Sequence, residues 1–324
     1  MDDRVSVSIS EGVADVRLVR ADKMNALDIP MFEALVATTE RLAGQKGLRA
    51  VVLSGEGPAF CAGLDMGRFA AMKESGGSGI AGGKERDLAA RSHGLANFPQ
   101  AAVWGWRQLP VPVIAAVHGV AFGGGFQLAL GADMRFLSVD ARMSIMEIKW
   151  GLVPDMAGTP ILASLVRDDI LRELTYTGRI FSAQEAAGYG LATRVCDDPR
   201  AAAFELAREI AGRSPGAIRA AKRLLNNLSV DPAAALLAES MEQMKLMGSP
   251  NQLEAVRANI EKRPPHFADV WPPSLSRRAH VERTLTIIGV HPPVSWSCAK
   301  AKKLRLKAAA GVRGNGMRML ESDY

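Results

Sequence analysis

Two short glycine-bearing segments hold the residues whose types and spacing could do chemistry. They are residues 60–65 (FCAGLD) and residues 118–127 (HGVAFGGGFQ). Each follows an apolar run of β type, 48–54 or 111–117, and so places flexible backbone where a strand ends and free N–H groups can face a ligand. Two N–H groups that converge on one oxygen form an oxyanion hole, which stabilises negative charge developing on a carbonyl group. The two segments therefore predict a site that holds an enolate.

The elements that must position these segments follow from hydrophobic periodicity. Residues 5–9 and 13–19 predict a hairpin, and residues 27–42 predict a helix with Asp28 as its N-cap. Strand, turn and helix then recur, which predicts an α/β fold, and the chain becomes helical after residue 158. The other predicted strands are 48–54, 111–117 and 134–139, and the other predicted helices are 126–131, 159–166, 169–176, 182–189, 199–212, 215–228, 232–247 and 251–262.

Three features allow both a structural and a functional interpretation. Residues 66–102 include a Gly/Ser-rich patch and a charged helical stretch, which fit a surface loop or a functional lid. Ser182 and Glu185 have the spacing of a capping box, which favours a structural role for Glu185. A stripe of methionines fits packing in the core or at an interface; its members are Met241, Met244 and Met247.

Size and composition predict a chain that buries a sizeable core in one large domain or two. The 324 residues are 48% hydrophobic, yet no apolar run approaches the roughly 18 residues of a membrane span. The acidic start predicts no signal peptide. Three scattered cysteines, Cys61, Cys196 and Cys298, lack metal-binding spacing and predict no disulfide framework. We therefore expect a cytoplasmic protein with no bound metal and no membrane partner.

The formal net charge of +6 is confined to the end of the chain. Residues 271–324 hold 10 of the 40 basic residues but only 3 of the 34 acidic ones, so residues 1–270 are about neutral. A basic tail can bind phosphates, but it also fits a solvated, disordered extension. We expect no nucleic-acid partner for residues 1–270. Both interpretations of residues 271–324, a phosphate-binding tail and a disordered extension, stay open.

Up to about residue 270, the chain resembles the crotonase, or enoyl-CoA hydratase/isomerase, superfamily. Besides the two glycine segments, the resemblance rests on residues 20–27 (RADKMNAL), 146–154 (MEIKWGLVP) and 220–225 (AAKRLL). It implies an α/β superhelix of repeated ββα units with a C-terminal helical region for trimerisation. The implied divisions are 1–200 for the core with the acyl-CoA site, 201–270 for the helical region and 271–324 for the basic extension.

The resemblance also implies roles for two backbone amides and one acid. The N–H groups of Leu64 and Gly124 would bind the thioester carbonyl of an acyl-CoA, and Glu147 would act as the general acid/base. Because Glu147 stands among Ile145, Met146, Ile148 and Trp150, we expect it to be desolvated with a raised pKa. The structural alternatives are that the glycines only permit tight helix packing and that Glu147 lies on the surface.

The chain departs from the hydratase pattern at two positions. Hydratases that it resembles have a second glutamate where this chain has Gln127, whose amide can hold a water but cannot accept its proton. Asp155 stands where hydratases have glycine, and its position is similar to that of an aspartate in dienoyl-CoA isomerases. Those isomerases also have an aspartate at the position of Gln127, so the match is partial. Asp155 could instead cap a turn or helix before Gly158.

The remaining site residues are implied as contacts of the coenzyme A thioester, which is a substrate, so no separate cofactor is expected. They are Lys23, Met24, Ala26, Ala62, Gly63, Asp65 and Gln127. Lys23 could equally be a solvated lysine, and Asp65 is expected to fix its loop.

Four functions follow from these residues. The leading one is an isomerase that shifts a double bond of an enoyl- or dienoyl-CoA, and its rival is an enoyl-CoA hydratase of fatty-acid oxidation. A non-catalytic acyl-CoA-binding protein and a tail-mediated nucleic-acid binder belong to other classes. The resemblance implies assembly as a homotrimer or a dimer of trimers.

Overall fold

A six-stranded sheet forms the centre of the part of the chain that the computed structural model describes, which is residues 4–65, 67, 88–228 and 230–270. The strand order is β1-β2-β3-β4-β6-β9, and a second sheet has the order β5-β7-β8. The strands are β1 (Val5–Ser10), β2 (Val13–Leu18), β3 (Ala50–Gly55), β4 (Val113–Val117), β5 (Val120–Phe122), β6 (Met134–Ser138), β7 (Arg142–Ser144), β8 (Phe181–Ser182) and β9 (Arg194–Cys196). All described residues belong to a compact unit whose last residue is Val270.

The main sheet combines the predicted hairpin with a parallel core. Strands β1 and β2 pair antiparallel, and every later pairing in that sheet is parallel. The carboxyl ends of β3, β4 and β6 therefore lie at one edge, where ligands bind in open parallel sheets. Both glycine segments begin at this edge.

Ten α-helices of the described residues surround these sheets. They are α1 (Ile29–Ala43), α2 (Phe98–Gln108), α3 (Gly124–Leu130), α4 (Gly158–Leu162), α5 (Asp168–Thr177), α6 (Ala183–Gly188), α7 (Pro199–Ala211), α8 (Pro215–Asn226), α9 (Pro232–Leu246) and α10 (Pro250–Glu261). Two 3₁₀ helices cover Ala21–Lys23 and Met146–Trp150. In the described part of the chain, no helix combines the length and apolar character that a membrane span requires.

The core lies on both faces of the parallel strands, as expected for a covered parallel sheet. Val51 and Leu53 of β3 pack into the larger apolar cluster together with Phe32 of α1. Val52, between them in sequence, points to the other face and belongs to a smaller cluster with Ala203 of α7. Because successive strand side chains alternate between faces, one strand serves both layers.

Several local predictions are confirmed. The Asp28 side chain accepts a hydrogen bond from Met31 N at 2.9 Å and so caps α1. Ser182 and Glu185 form the predicted capping box of α6, which gives Glu185 a structural role. Most other predicted elements are present with ends shifted by one to four residues.

Other predictions were wrong, incomplete or not addressed. Met241, Met244 and Met247 are exposed on this chain, so they are not core residues. Helix α2 and strands β5, β7, β8 and β9 were not predicted. The expectations for 271–324 and for most of 66–87 lie outside the described residues, and the division at residue 200 stays a prediction.

The 220–225 motif has a structural explanation in the buried Lys222. Its ammonium group donates to Asp133 Oδ2 at 2.7 Å and to Val111 O at 2.8 Å, and the side chain is only 6% exposed. Burial lowers the pKa of Lys222, whereas the charge of Asp133 raises it. Asp133 also accepts from Val113 N, so the motif anchors α8 to the start of β4.

Candidate active site

The two glycine segments run side by side at the carboxyl edge of the main sheet. Cys61 and Ala121 form a parallel bridge, in which Cys61 N donates to Val120 O at 3.1 Å and Phe122 N donates to Cys61 O at 3.2 Å. A further bond joins Phe60 N to His118 O at 2.9 Å. The backbone itself therefore holds the segments together, as a shared ligand requires.

The amides of Leu64 and Gly124 have no protein acceptor among the described residues. The bridge between Leu27 and Leu64 uses the flanking Gly63 O and Asp65 N, so it leaves the Leu64 N–H unused. Gly124 is the first residue of α3, where helix N–H groups lack internal acceptors. A Cβ at Gly63, the residue before Leu64, would lie 3.8 Å from Gly124 N, so the first segment packs against the start of α3. Two unpaired donors on adjacent segments fit an oxyanion hole.

Glycine is required at several points of this arrangement. Gly63 has φ +91°, and a Cβ there would lie only 2.5 Å from Phe122 O. Gly123 has φ +51°, and a Cβ there would lie 3.4 Å from Glu147 Oε1. The glycine run thus lets a carboxyl group lie directly against the backbone that precedes the Gly124 amide.

Glu147 is buried on the 3₁₀ helix Met146–Trp150 beside the glycine run. Its Oε1 accepts a hydrogen bond from Gln127 Nε2 at 2.6 Å, whereas its Oε2 is buried and has no partner among the described residues. Burial raises the pKa of Glu147 above its ordinary value, and the charge of Asp155 adds to this effect. The unpaired Oε2 is the atom of this carboxyl group that remains available for proton transfer.

The expected surroundings of Glu147 are partly wrong. Ile145 is buried, but Ile148 and Trp150 are 44% and 40% exposed. The last three residues of the 3₁₀ helix are all exposed, and the glycine run and Gln127 lie against the carboxyl group instead. The predicted desolvation is confirmed, although part of its predicted cause is not.

Gln127 is buried on α3, and its amide orientation is fixed by the backbone. Its Oε1 accepts from both Met156 N and Gly158 N at 2.9 Å, which leaves Nε2 to donate to Glu147. Since Glu147 Oε1 is an acceptor in that bond, a proton carried by Glu147 sits on Oε2. Gln127 is therefore a positioning residue for Glu147, and this pairing was not predicted.

Asp155 lines a cavity of about 270 Å³. Burial raises the pKa of Asp155, and its charge in turn raises the pKa of Glu147. The alternative role as a helix cap is wrong, because Ala157 is the N-cap of α4 and no side chain caps that helix. A structural role in the turn before Gly158 stays a prediction. The cavity is lined by Arg91, Leu95, Ala96, Gln100, Trp104, Pro154, Asp155, Ala157, Thr159 and Pro160.

The predicted coenzyme A contacts divide into exposed and buried residues. Lys23 and Met24 are exposed, and Met24 O accepts from Ala62 N at 2.9 Å, which places them beside the first glycine segment. Ala26 is buried. The geometry therefore leaves Lys23 and Met24 accessible to a ligand at this segment.

Asp65 fixes its loop, as expected. Its Oδ2 pairs with Arg20 at 2.6 Å, and its Oδ1 accepts from Gly67 N at 2.8 Å. Burial alone would raise the pKa of Asp65, but these hydrogen bonds and the charge of Arg20 outweigh it and lower the pKa. Asp65 is an anchor of the glycine segment.

Among the described residues, no cluster of three or more His, Cys, Asp or Glu side chains is arranged to hold a metal ion. The arrangement instead offers two amide donors for a developing oxyanion and a desolvated acid next to them. Such a site can polarise a carbonyl group and move protons at nearby carbon atoms.

Known proteins with similar sequences indicate the family of this chain. The model of the enoyl-CoA hydratase/isomerase family matches residues 8–270. The chain is 30% identical over 266 residues to the mitochondrial methylglutaconyl-CoA hydratase of Mus musculus, covering 80% of each chain. It is 32% identical over 269 residues to the mitochondrial Delta(3,5)-Delta(2,4)-dienoyl-CoA isomerase of Mus musculus, covering 79% of each chain.

A solved structure gives the same result for the fold. The crystal structure of an enoyl-CoA hydratase from Bacillus anthracis matches with a TM-score of 0.72 and 31% identity, over 82% of this chain and 98% of the other. The α/β architecture is thus that of the crotonase fold. The chain belongs to the enoyl-CoA hydratase/isomerase family of the crotonase superfamily.

Proposed function

We propose that this protein is an enoyl- or dienoyl-CoA isomerase, which shifts a double bond by proton transfer. The observation that carries the proposal is the hydrogen bonding of Gln127 and Glu147. Gln127 is held by two backbone N–H groups and donates to Glu147, whose Oε2 is buried and unpaired. The site thus has one carboxyl group directly beside the oxyanion donors, with Asp155 as the second acid.

The proposed reaction begins when the thioester oxygen accepts hydrogen bonds from Leu64 N and Gly124 N. Ionised Glu147 removes a proton from the carbon next to the thioester through Oε2, and the electron pair moves into the enolate. Protonated Asp155 then gives its proton to the far carbon of the conjugated system while the carbonyl group re-forms. The double bond has moved without water, and solvent exchange restores the protonation states of the two acids.

Enoyl-CoA hydratase is the second candidate, because several similar proteins carry that name. Water addition through two carboxylates requires an acceptor at the position of Gln127. Here the Gln127 oxygen already accepts two backbone hydrogen bonds. A hydratase would therefore depend on Glu147 alone, which is why we favour the isomerase.

Replacing Asp155 by Asn tests the choice between these reactions. We expect the wild type to convert trans-3-hexenoyl-CoA or 3,5-octadienoyl-CoA, and Asp155→Asn to lower this isomerisation about 10²- to 10⁴-fold by removing the second proton donor. Product identification by chromatography measures it. Rapid hydration of crotonyl-CoA that Asp155→Asn leaves unchanged would favour the hydratase. Thioester binding without any turnover would indicate a non-catalytic binding protein.

We also propose a homotrimer or a dimer of trimers. Helices α9 and α10 expose apolar side chains that a monomer in water leaves uncovered, including Leu236, Leu237, Met241, Met244, Leu253 and Ile260. Sedimentation equilibrium should give three or six times the chain mass of 34.6 kDa. A monomer mass at micromolar concentration would contradict the proposal.

A cytoplasmic location, the lack of a separate cofactor and a role in fatty-acid oxidation stay predictions. The free thiols of Cys61 and Cys196 fit a reducing compartment.

A further inference from the structure

The cavity beside Asp155 has an excess of hydrogen-bond donors. Four of its lining residues have N–H or O–H donors in their side chains: Arg91, Gln100, Trp104 and Thr159. Asp155 is the one carboxylate among the lining residues. Met156 follows Asp155 in the sequence. A Cβ added at Gly124 would lie 2.8 Å from Met156 Sδ. The residue that follows Asp155 therefore packs against Gly124 of the proposed oxyanion hole.

Arg91 is held in a fixed position by three acceptors. Its Nε donates to Ala89 O at 2.9 Å, Nη1 to Gln100 Oε1 at 2.8 Å and Nη2 to Leu88 O at 2.7 Å. Each Nη atom carries a second N–H, and none of the carboxylates that the structure describes forms an ion pair with Arg91. The guanidinium group is thus preorganised and still able to bind an anion.

Gln100 and Trp104 add donors without acceptors. Gln100 Oε1 is used by Arg91 and by Asn97 N, whereas Gln100 Nε2 donates to no acceptor in the described part of the chain. Trp104 Nε1 is buried, and it too lacks a partner. A buried N–H without an acceptor is costly, so a ligand that supplies oxygen atoms would relieve it. A carboxylate supplies several lone pairs and matches the planar guanidinium group.

We propose that Arg91, Gln100 and Trp104 form a subsite for a carboxylate at the far end of the acyl chain. The substrate class is then the mono-CoA thioester of an unsaturated dicarboxylic acid. This inference rests on the proposed acyl-CoA isomerase and specifies its substrate. Arg91 and Asp155 both line the cavity but form no ion pair with each other. Arg91 can therefore bind the substrate carboxylate while Asp155 stays free for proton transfer.

A matched pair of thioesters tests the subsite. trans-3-Hexenedioyl-CoA and trans-3-hexenoyl-CoA have the same chain length and double bond, but only the first ends in a carboxylate. We expect wild-type kcat/KM to be about 10-fold higher for the dicarboxylic thioester, because Arg91 is exposed and its charge is partly screened. Arg91→Gln should remove most of this preference, so that the ratio of the two kcat/KM values falls towards one. Arg91→Lys keeps the positive charge but loses the planar guanidinium group. Its preference for the dicarboxylic thioester should lie between those of the wild type and Arg91→Gln.

The control is Arg213→Gln, which removes an exposed arginine of a surface ion pair with Glu209. It should not change the ratio of the two rates. Equal wild-type kcat/KM for both thioesters, or an equal effect of Arg91→Gln on both, would overturn the inference while leaving the isomerase intact.

Failure of the proposed function has a different signature. If the wild type turns over neither of these thioesters nor 3,5-octadienoyl-CoA, the isomerase is wrong, and calorimetry with the saturated adipyl-CoA and hexanoyl-CoA still decides about the subsite. Tighter wild-type binding of adipyl-CoA that Arg91→Gln abolishes would support it. Equal affinity for the two saturated thioesters would overturn it.

Discussion

Glu147→Gln should lower kcat/KM for every thioester that the enzyme converts by about 10²- to 10⁴-fold, the usual contribution of a general acid/base. The substitution keeps the size of the side chain, and the new amide oxygen can still accept from Gln127 Nε2. What is lost is the Oε2 atom, the one carboxyl oxygen of Glu147 without a partner. Steady-state kinetics with product identification measures the loss, and calorimetry with a saturated thioester should show that binding persists.

The pH dependence gives this prediction a second signature. Burial raises the pKa of Glu147, and the group must be ionised to remove a proton. Wild-type kcat/KM should therefore fall as the pH drops through a value above the ordinary carboxyl range. Asp155, whose pKa burial also raises, must be protonated to donate, so kcat/KM should fall again once the pH rises above the pKa of Asp155. The acid limb should disappear in the residual activity of Glu147→Gln.

Glu33→Gln is the matched control, because Glu33 is exposed on α1 and belongs to neither glycine segment. It should retain wild-type rates and the wild-type pH profile. If Glu147→Gln kept full turnover while thioester binding persisted, Glu147 would not be the acid/base and the proposed function would be wrong.

Local patterns made much of the fold predictable. The alternation in β1 and β2, the cap at Asp28 and the capping box of Ser182 and Glu185 depend on neighbours within a few residues. Helix α2 also has such a signal, since Asn97 and Gln100 form a capping box. Strands β7, β8 and β9 contain only two or three residues, too few for a periodic pattern.

The candidate site was predictable in its parts but not in its pairing. The glycine segments and Glu147 stand out in the sequence, yet Gln127 and Glu147 are 20 residues apart and meet only through folding. Their pairing also depends on a third position far from both in sequence. Gly158 leaves room for Gln127, because a Cβ at residue 158 would lie 2.7 Å from Gln127 Oε1. Arg91 depends equally on contacts with Leu88, Ala89 and Gln100, which no spacing rule specifies.

Adding one methyl group at Gly124 tests the oxyanion hole itself. A Cβ at this residue would lie 2.8 Å from Met156 Sδ and 2.9 Å from Leu27 Cδ1, so both side chains or the Gly124 amide must move. Because a shift of about 1 Å in a catalytic group costs roughly 10²-fold in rate, Gly124→Ala should lower kcat by about 10²- to 10³-fold. Overpacking of this kind costs about 1–3 kcal/mol of stability, which thermal unfolding measures.

Gly188→Ala separates the loss of the hole from the loss of stability. Gly188 ends α6, and a Cβ there would meet no atom within 4 Å, so both rate and melting temperature should stay at the wild-type values. Met156→Ala in the Gly124→Ala background removes the closest clash. The double variant should recover part of the melting temperature that Gly124→Ala loses. Its kcat should recover only to the extent that the amide of residue 124 returns to its wild-type position. Full activity of Gly124→Ala at a normal melting temperature would mean that this amide does not bind the thioester oxygen. The charge that develops there would then need another donor, because Leu64 N is the one other amide of these two segments that we assign to that oxygen.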